Sequence, residues 1–491
     1  MILYILLSTI LSFSYIYFKL RLNKNVSQLP SVSTLMMLYH ILLQTSGQLR
    51  DELLINPLFS KNRFISIFLG RWFILVKDMD IIKKILLNDE TFVKINQNEM
   101  MNDFGLIREN IAEVDKKKWK VHKKVVNPAF KRGWDLEIFI TVANKICDKI
   151  QNASNQEIEV MEIFKAGTLD SLGLAVFDID FNTIGNQDNE MAHLYNNLMN
   201  EILNPLFLML PFLNYFPFPS RMKLYSDTAK FRSYIKGLVD DERKKLAVSN
   251  DNEKGSNLLS LMIQSSDDEL EGLTDELIIN NAIIFFIAGH DTTAHTLTSA
   301  IYYLAKYPEI QYKLRQEIKD VLGPKGTLKD LNLNQTILNE IVYLDAIIYE
   351  TLRSIPVVPI LSRKPNRPVT LESNLVVDTN QSIMLHLGLA MKDPVLFKNP
   401  EEFEPERFLM TEDNKTKINK KMTSLLLTFG YGARMCLGNQ FSLLEQKVFL
   451  IALLLEFNVS LPENSPHYNY PILPSLGLFS PKDLKVKFTK I

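Results

Sequence analysis

Near the C-terminus stands Phe429-Gly-Tyr-Gly-Ala-Arg-Met-Cys-Leu-Gly438, where one thiol, one arginine and three glycines fall within ten residues. Gly430, Gly432 and Gly438 open backbone angles closed to other residues and permit close approach to a flat ligand. Arg434 supplies a permanent cation whose forked donor face suits a carboxylate. From Leu437 onward, Phe441, Leu444, Val448, Ile451 and Leu455 recur at helical spacing. Cys436 is therefore expected at a helix N-terminus, where partial positive charge and free N–H groups favour thiolate over thiol. The chain has one other cysteine, Cys147, which excludes a disulfide framework and any cysteine-rich zinc or iron–sulfur cluster. A metal that takes a single protein ligand is compatible with such a loop. The alternative, a structural cysteine in a turn, leaves the glycines and the arginine without a purpose.

A second concentration of chemistry is Ala288-Gly-His-Asp-Thr-Thr293, set inside an apolar run. A buried acid beside two hydroxyls is costly unless it is used or satisfied; the alternative is a bend in which a threonine bonds back to the preceding turn. His290 and His295 are expected to be packing or surface residues. The element carrying this cluster is predicted as one helix from Thr274 to Lys306, about 50 Å long. Thr274 is its expected cap, Asp275 and Glu276 lie in the first turn, and Pro308 marks the exit. Glu350-Thr-Leu-Arg353 puts an acid and a base on one helix face. Arg407 follows in the proline-marked Pro405-Glu-Arg-Phe408. Arg363 stands between them, near short β-prone runs at Val369 to Leu371 and Leu375 to Val377. Trp119 and Lys123 belong to a basic helix, Lys116-Lys-Lys-Trp-Lys-Val-His-Lys-Lys124.

The 491 residues contain no repeat or low-complexity tract, and the polar stretch Ser249 to Asn257 is short enough to be a loop, so one large folded unit is expected. A net charge of -1 argues against nucleic acid, which calls for a concentrated basic face. Met1 to Phe18 carries no charged side chain and is followed by Lys19, Arg21 and Lys24. Eighteen helical residues span about 27 Å, close to a bilayer's hydrocarbon thickness. There is no basic leader and no small-residue cleavage site, so an uncleaved anchor is expected, with the remaining chain on the cytoplasmic side. The expected division is 1–18 transmembrane anchor, 19–30 basic linker and 31–491 catalytic domain.

Matched at every fixed position, the cysteine run resembles the haem-binding loop F-G-x-G-x-R-x-C-x-G of the cytochrome P-450 superfamily. The resemblance runs from about Leu29 to the end. It implies a mainly α fold with a small β region, with haem b between the long helix and the cysteine loop. Cys436 would be the proximal iron ligand, Arg434 a propionate contact, Phe429 a neighbour of the sulfur and Gly430 a shaper of the loop. The A-G-x-D-T-T resemblance puts Ala288 and Gly289 over the haem, Gly289 making room for oxygen, with Asp291 and Thr292 relaying protons. The ω-hydroxylases that bond covalently to their haem carry glutamate where this chain has Ala288, so the iron–sulfur bond is the sole covalent tie expected. Trp119 matches the family's W-x-x-x-R helix, while Lys123 stands in place of its arginine; Arg363 occupies the place of a propionate-binding arginine. Glu350, Arg353 and Arg407 would brace the loop as a charge network. The stretch from Lys392 to Pro400 matches loosely, with Met391 and Phe397 in place of the family's His and Trp, and reads as a structural meander.

The implied activity is monooxygenation of a lipophilic substrate, leaning slightly to fatty acids and hydrocarbons. Electrons would come from a separate NADPH-dependent flavoprotein reductase, with cytochrome b5 as a second donor, since no flavin or nicotinamide fingerprint occurs here. The implied location is the endoplasmic reticulum membrane. Leu203 to Phe218 is apolar and broken by prolines, and reads either as a membrane-side substrate entrance or as core. Asn102 to Val114 is placed beside the pocket by position alone. Two rivals are a haem-thiolate isomerase or dehydratase acting on lipid hydroperoxides and a haem-binding sensor without turnover.

Overall fold

Thr274 caps the longest helix of the fold by accepting from Leu277 N, and the helix runs to Lys306, where Tyr307 ends it and Pro308 opens the next. The computed structural model describes residues 28–491 except 96–104, 154–156, 187, 249–256, 266–271, 324–327, 329–332 and 413–414. The expected anchor, most of the linker, nearly all of the polar loop from Ser249 and the start of the Asn102 to Val114 segment lie outside the described residues. The helices that position the site are labelled in chain order: α1 Thr34–Leu42, α2 Met79–Leu87, α3 Lys116–Lys131, α4 Val160–Leu172, α5 Glu190–Ile202, α6 Pro219–Val248, α7 Asp275–Lys306, α8 Val342–Ser354 and α9 Asn439–Glu456.

Helix α7 is largely buried, packing on α4 most extensively and on α6, α8 and α9. An apolar helix 32 residues long could equally cross a membrane; its burial by these neighbours identifies it as a core helix. Beside the helices lies a five-stranded sheet of β1 Ile65–Phe68, β2 Trp72–Val76, β3 Phe92–Lys94, β4 Ile360–Pro365 and β5 Ser382–His386. Its order is β1-β2-β5-β4-β3, antiparallel except for the parallel β2–β5 pair. The β3–β4 register sets Lys94 directly opposite Arg363. The β-prone runs pair as a separate ladder, Val369–Thr370 with Val376–Val377. This is the mainly α architecture with a small β region that the sequence implies.

The Leu203 to Phe218 segment divides its residues. Phe207 is buried, whereas Leu206, Tyr215, Phe216 and Phe218 are exposed. The short helix Pro205–Met209 packs on α1, whose Leu35, Tyr39 and Leu42 are also exposed, so the two apolar surfaces adjoin.

Candidate active site

Cys436 lies in a loop whose ends are tied by its own N–H donating to Phe429 O at 2.8 Å. Gly430 (φ 77°) and Gly432 (φ 75°) take the left-handed conformation that glycine adopts freely. A Cβ on Gly432 would stand 3.2 Å from Leu86 O, so α2 rests on the loop backbone. The expected helix N-terminus at Cys436 needs correcting, because α9 begins three residues later, at Asn439, behind Gly438. Enclosure pushes the Cys436 thiol pKa up, while the Gly438 N–H and Lys94 pull the other way. The helix alone does not secure a thiolate here; coordination to a metal would.

Although enclosed by the fold, Cys436 keeps accessible surface. So does one face of α7: Ile284, Ala288, Thr292 and His295 remain accessible while Asp291, Thr293, Ala294 and Thr296 are buried. At 100° per residue these four positions fall on one stripe, with Phe285, Ile287 and Gly289 also partly accessible to either side. Thr293 Oγ1 meets Ser442 Oγ at 2.9 Å, pinning this part of α7 to the first turn of α9. Cys436 and His295 are each enclosed yet accessible, so loop and stripe each border an interior hollow.

Thr292 bonds back to Ala288 O at 3.0 Å and Thr293 to Gly289 O at 3.5 Å, so both hydroxyls are satisfied within the helix as well. Gly289, expected to make room for oxygen, faces α4 instead: a Cβ there would sit 2.6 Å from Leu172 Cδ1, and its smallness serves helix packing. Asp291 also turns from the hollow. Its Oδ2 accepts from Tyr195 OH of α5 at 2.6 Å, and its Oδ1 is 3.2 Å from Lys165 Nζ of α4 and 3.7 Å from His290 Nε2. Burial would raise its pKa, but His290, Lys165 and Tyr195 together hold it down at about 2, so it is a carboxylate. His290 is a packing residue, bonded through Nδ1 to Phe286 O at 2.7 Å and enclosed by Tyr195 and Phe286.

A cavity of about 420 Å³ opens to solvent between β3, β4, the start of α3 and the cysteine loop, lined by Lys94, Arg363 and Arg434 among others. Arg434 lies over the Trp119 ring at 4.5 Å, donates to Val114 O at 2.6 Å and has Asp89 3.8 Å from its Nε. Its Nε and Nη1 are buried without a hydrogen-bond partner. Arg363 is buried rather than on the surface, and burial together with Arg434 lowers its pKa to about 10. Lys94 is lowered to about 7 by burial, with Arg363 and Arg434 adding to the effect. Like charges opposed across a ladder are unfavourable on their own. Three clustered basic side chains, with two orphaned donors on Arg434, fit an anionic ligand, and the carboxylates of a flat group held by Cys436 would satisfy them; the residues fit haem. Lys123 puts its ammonium over Trp119 at 4.5 Å. Of the basic run, Lys116 is paired with Asp89 and Glu90 and Lys118 with Glu109, while Lys117 and Lys120 are exposed.

Behind the loop, Glu350 and Arg353 are fully buried rather than on a solvated helix face. Arg353 Nε donates to Glu350 Oε2 at 2.7 Å and Arg407 Nε to Glu350 Oε1 at 3.0 Å. Arg353 also reaches the carbonyls of Met391, Pro400 and Glu402, gathering the meander before the loop.

A family model for cytochrome P-450 matches residues 32–488. Cytochrome P-450 3A13 of Mus musculus is 27% identical over 405 residues, covering 78% of this chain and 76% of that protein. Cytochrome P-450 6d1 of Musca domestica is 24% identical over 440 residues, 82% of this chain and 83% of its own. In fold, the crystal structure of the cytochrome P-450DA heme domain matches 94% of this chain and 96% of its own at a TM-score of 0.76 and 20% identity.

Proposed function

Because this chain belongs to the cytochrome P-450 family, whose members are haem-thiolate monooxygenases carrying haem b on a cysteine thiolate, we propose that Cys436 is the iron ligand. The enzyme hydroxylates a lipophilic substrate with electrons from an NADPH-dependent flavoprotein reductase, cytochrome b5 being a second donor. The observation that carries this reading is the accessible Cys436 in its left-handed glycine loop, beside the buried, unpartnered donors of Arg434. Bound haem supplies the oxygen-activating redox chemistry; the chain holds it, excludes water and moves protons. Trp119, Lys123, Arg363 and Arg434 would hold its carboxylate edge, Phe429 and Gly430 would shape the loop around the sulfur, and Ala288, with only a methyl side chain, would leave room beside it. Thr292 presents its hydroxyl to the hollow and passes a proton there. Asp291 is the second member of that relay, its carboxylate lying behind Thr292 and paired with the partly exposed Lys165. Glu350, Arg353 and Arg407 keep the loop in register.

The proposed setting is the cytoplasmic face of the endoplasmic reticulum membrane, with residues 1–18 as anchor, 19–30 as basic linker and 31–491 as catalytic domain. The adjoining exposed apolar surfaces of α1 and of Leu206 to Phe218 support a face that lies on lipid and admits lipophilic substrate. Exposed Lys117 and Lys120 support docking of an acidic reductase domain. Reconstitution with reductase, NADPH and a lipid panel tests the reading. Oxygen- and reductase-dependent product formation is expected; turnover of lipid hydroperoxides without reductase, or no turnover of any kind, would count against it.

A further inference from the structure

On the accessible stripe of α7, Ile284 and Ala288 are apolar and Thr292 serves the reaction proposed above, leaving His295 without a role. His295 lies deep in the fold yet keeps accessible surface, so that surface borders interior space and not bulk solvent. Its Nδ1 stands 2.8 Å from Ser480 Oγ. Ser480 is itself buried, in a loop fastened by Phe479 N–H donating to Val357 O at 2.9 Å. The ring is thus oriented from two sides, by its helix and by the loop. Among the described residues Nε2 makes no hydrogen bond, and it is not sealed off from the hollow. Burial lowers the imidazole pKa to about 4 against the opposing pull of Asp291, so the ring is neutral at physiological pH. A neutral imidazole exchanges one hydrogen bond through its second nitrogen and offers no charge to a carboxylate. Three residues of helix set it about 4.5 Å along the axis from Thr292.

We infer that His295, steadied by Ser480, is the polar anchor of the substrate site. It takes the hydroxyl or carbonyl oxygen of a neutral lipophilic molecule and directs oxidation to carbons close to that group. The inference rests on the monooxygenase reading and narrows its substrate class, away from hydrocarbons without oxygen and from carboxylates held by charge.

The test is an optical titration of the haem-loaded ferric enzyme with three twelve-carbon probes, dodecane, dodecan-2-one and dodecanoate, read as the change of iron spin state. The ketone should bind about 2- to 10-fold more tightly than the alkane, the scale of one neutral hydrogen bond, and no more weakly than the carboxylate. His295→Leu should erase the ketone's advantage while leaving the alkane within about twofold of wild type. His295→Gln should keep part of that advantage. Ser480→Ala should reduce it without abolishing it. Equal weakening of alkane and ketone in His295→Leu would make His295 a packing residue and overturn the assignment. So would an intact ketone preference in that variant, or a changed ratio of product to released peroxide at unaltered affinities. A wild-type enzyme that binds the ketone no better than the alkane, or binds neither, also overturns it. Failure of the haem-thiolate reading itself shows separately, as the absence of a thiolate-ligated spectrum before any probe is added.

Discussion

Replacing Arg353 with Met keeps most of the side-chain volume but removes a fully buried cation that makes five hydrogen bonds. Glu350 would keep the Arg407 guanidinium at 3.0 Å and the Glu404 N–H at 2.9 Å, so its charge is not stranded entirely. It would lose both Arg353 bonds, at 2.7 and 2.9 Å, and the carbonyls of Met391 and Pro400 would lose their donor. Breaking a buried pair from one side costs about 3–5 kcal/mol, which near its middle is roughly a thousandfold in the unfolding equilibrium. Arg407→Met should cost less, about 1–3 kcal/mol, because that arginine makes one bond to Glu350 and its other partners are exposed backbone carbonyls and the half-exposed Glu404 carboxylate. The assay is urea unfolding of the haem-loaded protein followed by far-ultraviolet circular dichroism, with bound haem measured on the same samples. Glu350→Leu combined with Arg353→Leu removes both charges and should recover a good part of the loss. An Arg353→Met protein within about 1 kcal/mol of wild type, against the 3–5 expected, would refute the view that this network braces the loop.

Thr292→Ala should lower product formation by about 100-fold while NADPH oxidation continues, the signature of a lost proton donor; a proportional fall in both would point to damaged haem binding instead. Lys94→Ala should speed transfer of haem to a scavenger protein by roughly 10-fold or more, as loss of one charged hydrogen bond does, and Lys94→Arg should restore retention; an unchanged transfer rate would remove Lys94 from the cofactor edge. Asp291 is depressed in the folded protein, so its contribution to stability is present above the unfolded value near 4 and is lost as pH falls toward about 2. Lys165→Met raises the folded value, and acid unfolding should then begin at higher pH; an identical pH–stability curve would contradict that electrostatic role.

Local signals made the long helix legible, because Thr274, the apolar run and Pro308 give its start, its burial and its end without reference to anything distant. The cysteine loop was legible for the same reason, its glycines standing where the backbone turns left-handed. Direction on the helix was harder to read. Spacing could not tell that Gly289 faces Leu172 or that Asp291 turns to Tyr195 and Lys165, since those partners come from α4 and α5. The Glu350–Arg353 pair looks like many exposed i, i+3 pairs, and its burial depends on a meander that follows it in the chain. Lys94 carried no motif: it ends a three-residue strand, and only the β3–β4 register sets it against Arg363. Nothing local to His295 distinguishes it from a packing or surface residue, because the Ser480 loop that orients it lies 185 residues away.

The most direct test of the central claim is the absorption spectrum of the ferrous carbon monoxide complex of the wild-type protein, taken beside that of Cys436→Ser. The wild type should show the long-wavelength Soret band of thiolate-ligated haem, and Cys436→Ser should lose that band even where some haem stays bound. A wild-type spectrum without it, or a Cys436→Ser spectrum that retains it, would contradict Cys436 as the iron ligand and with it the proposed site.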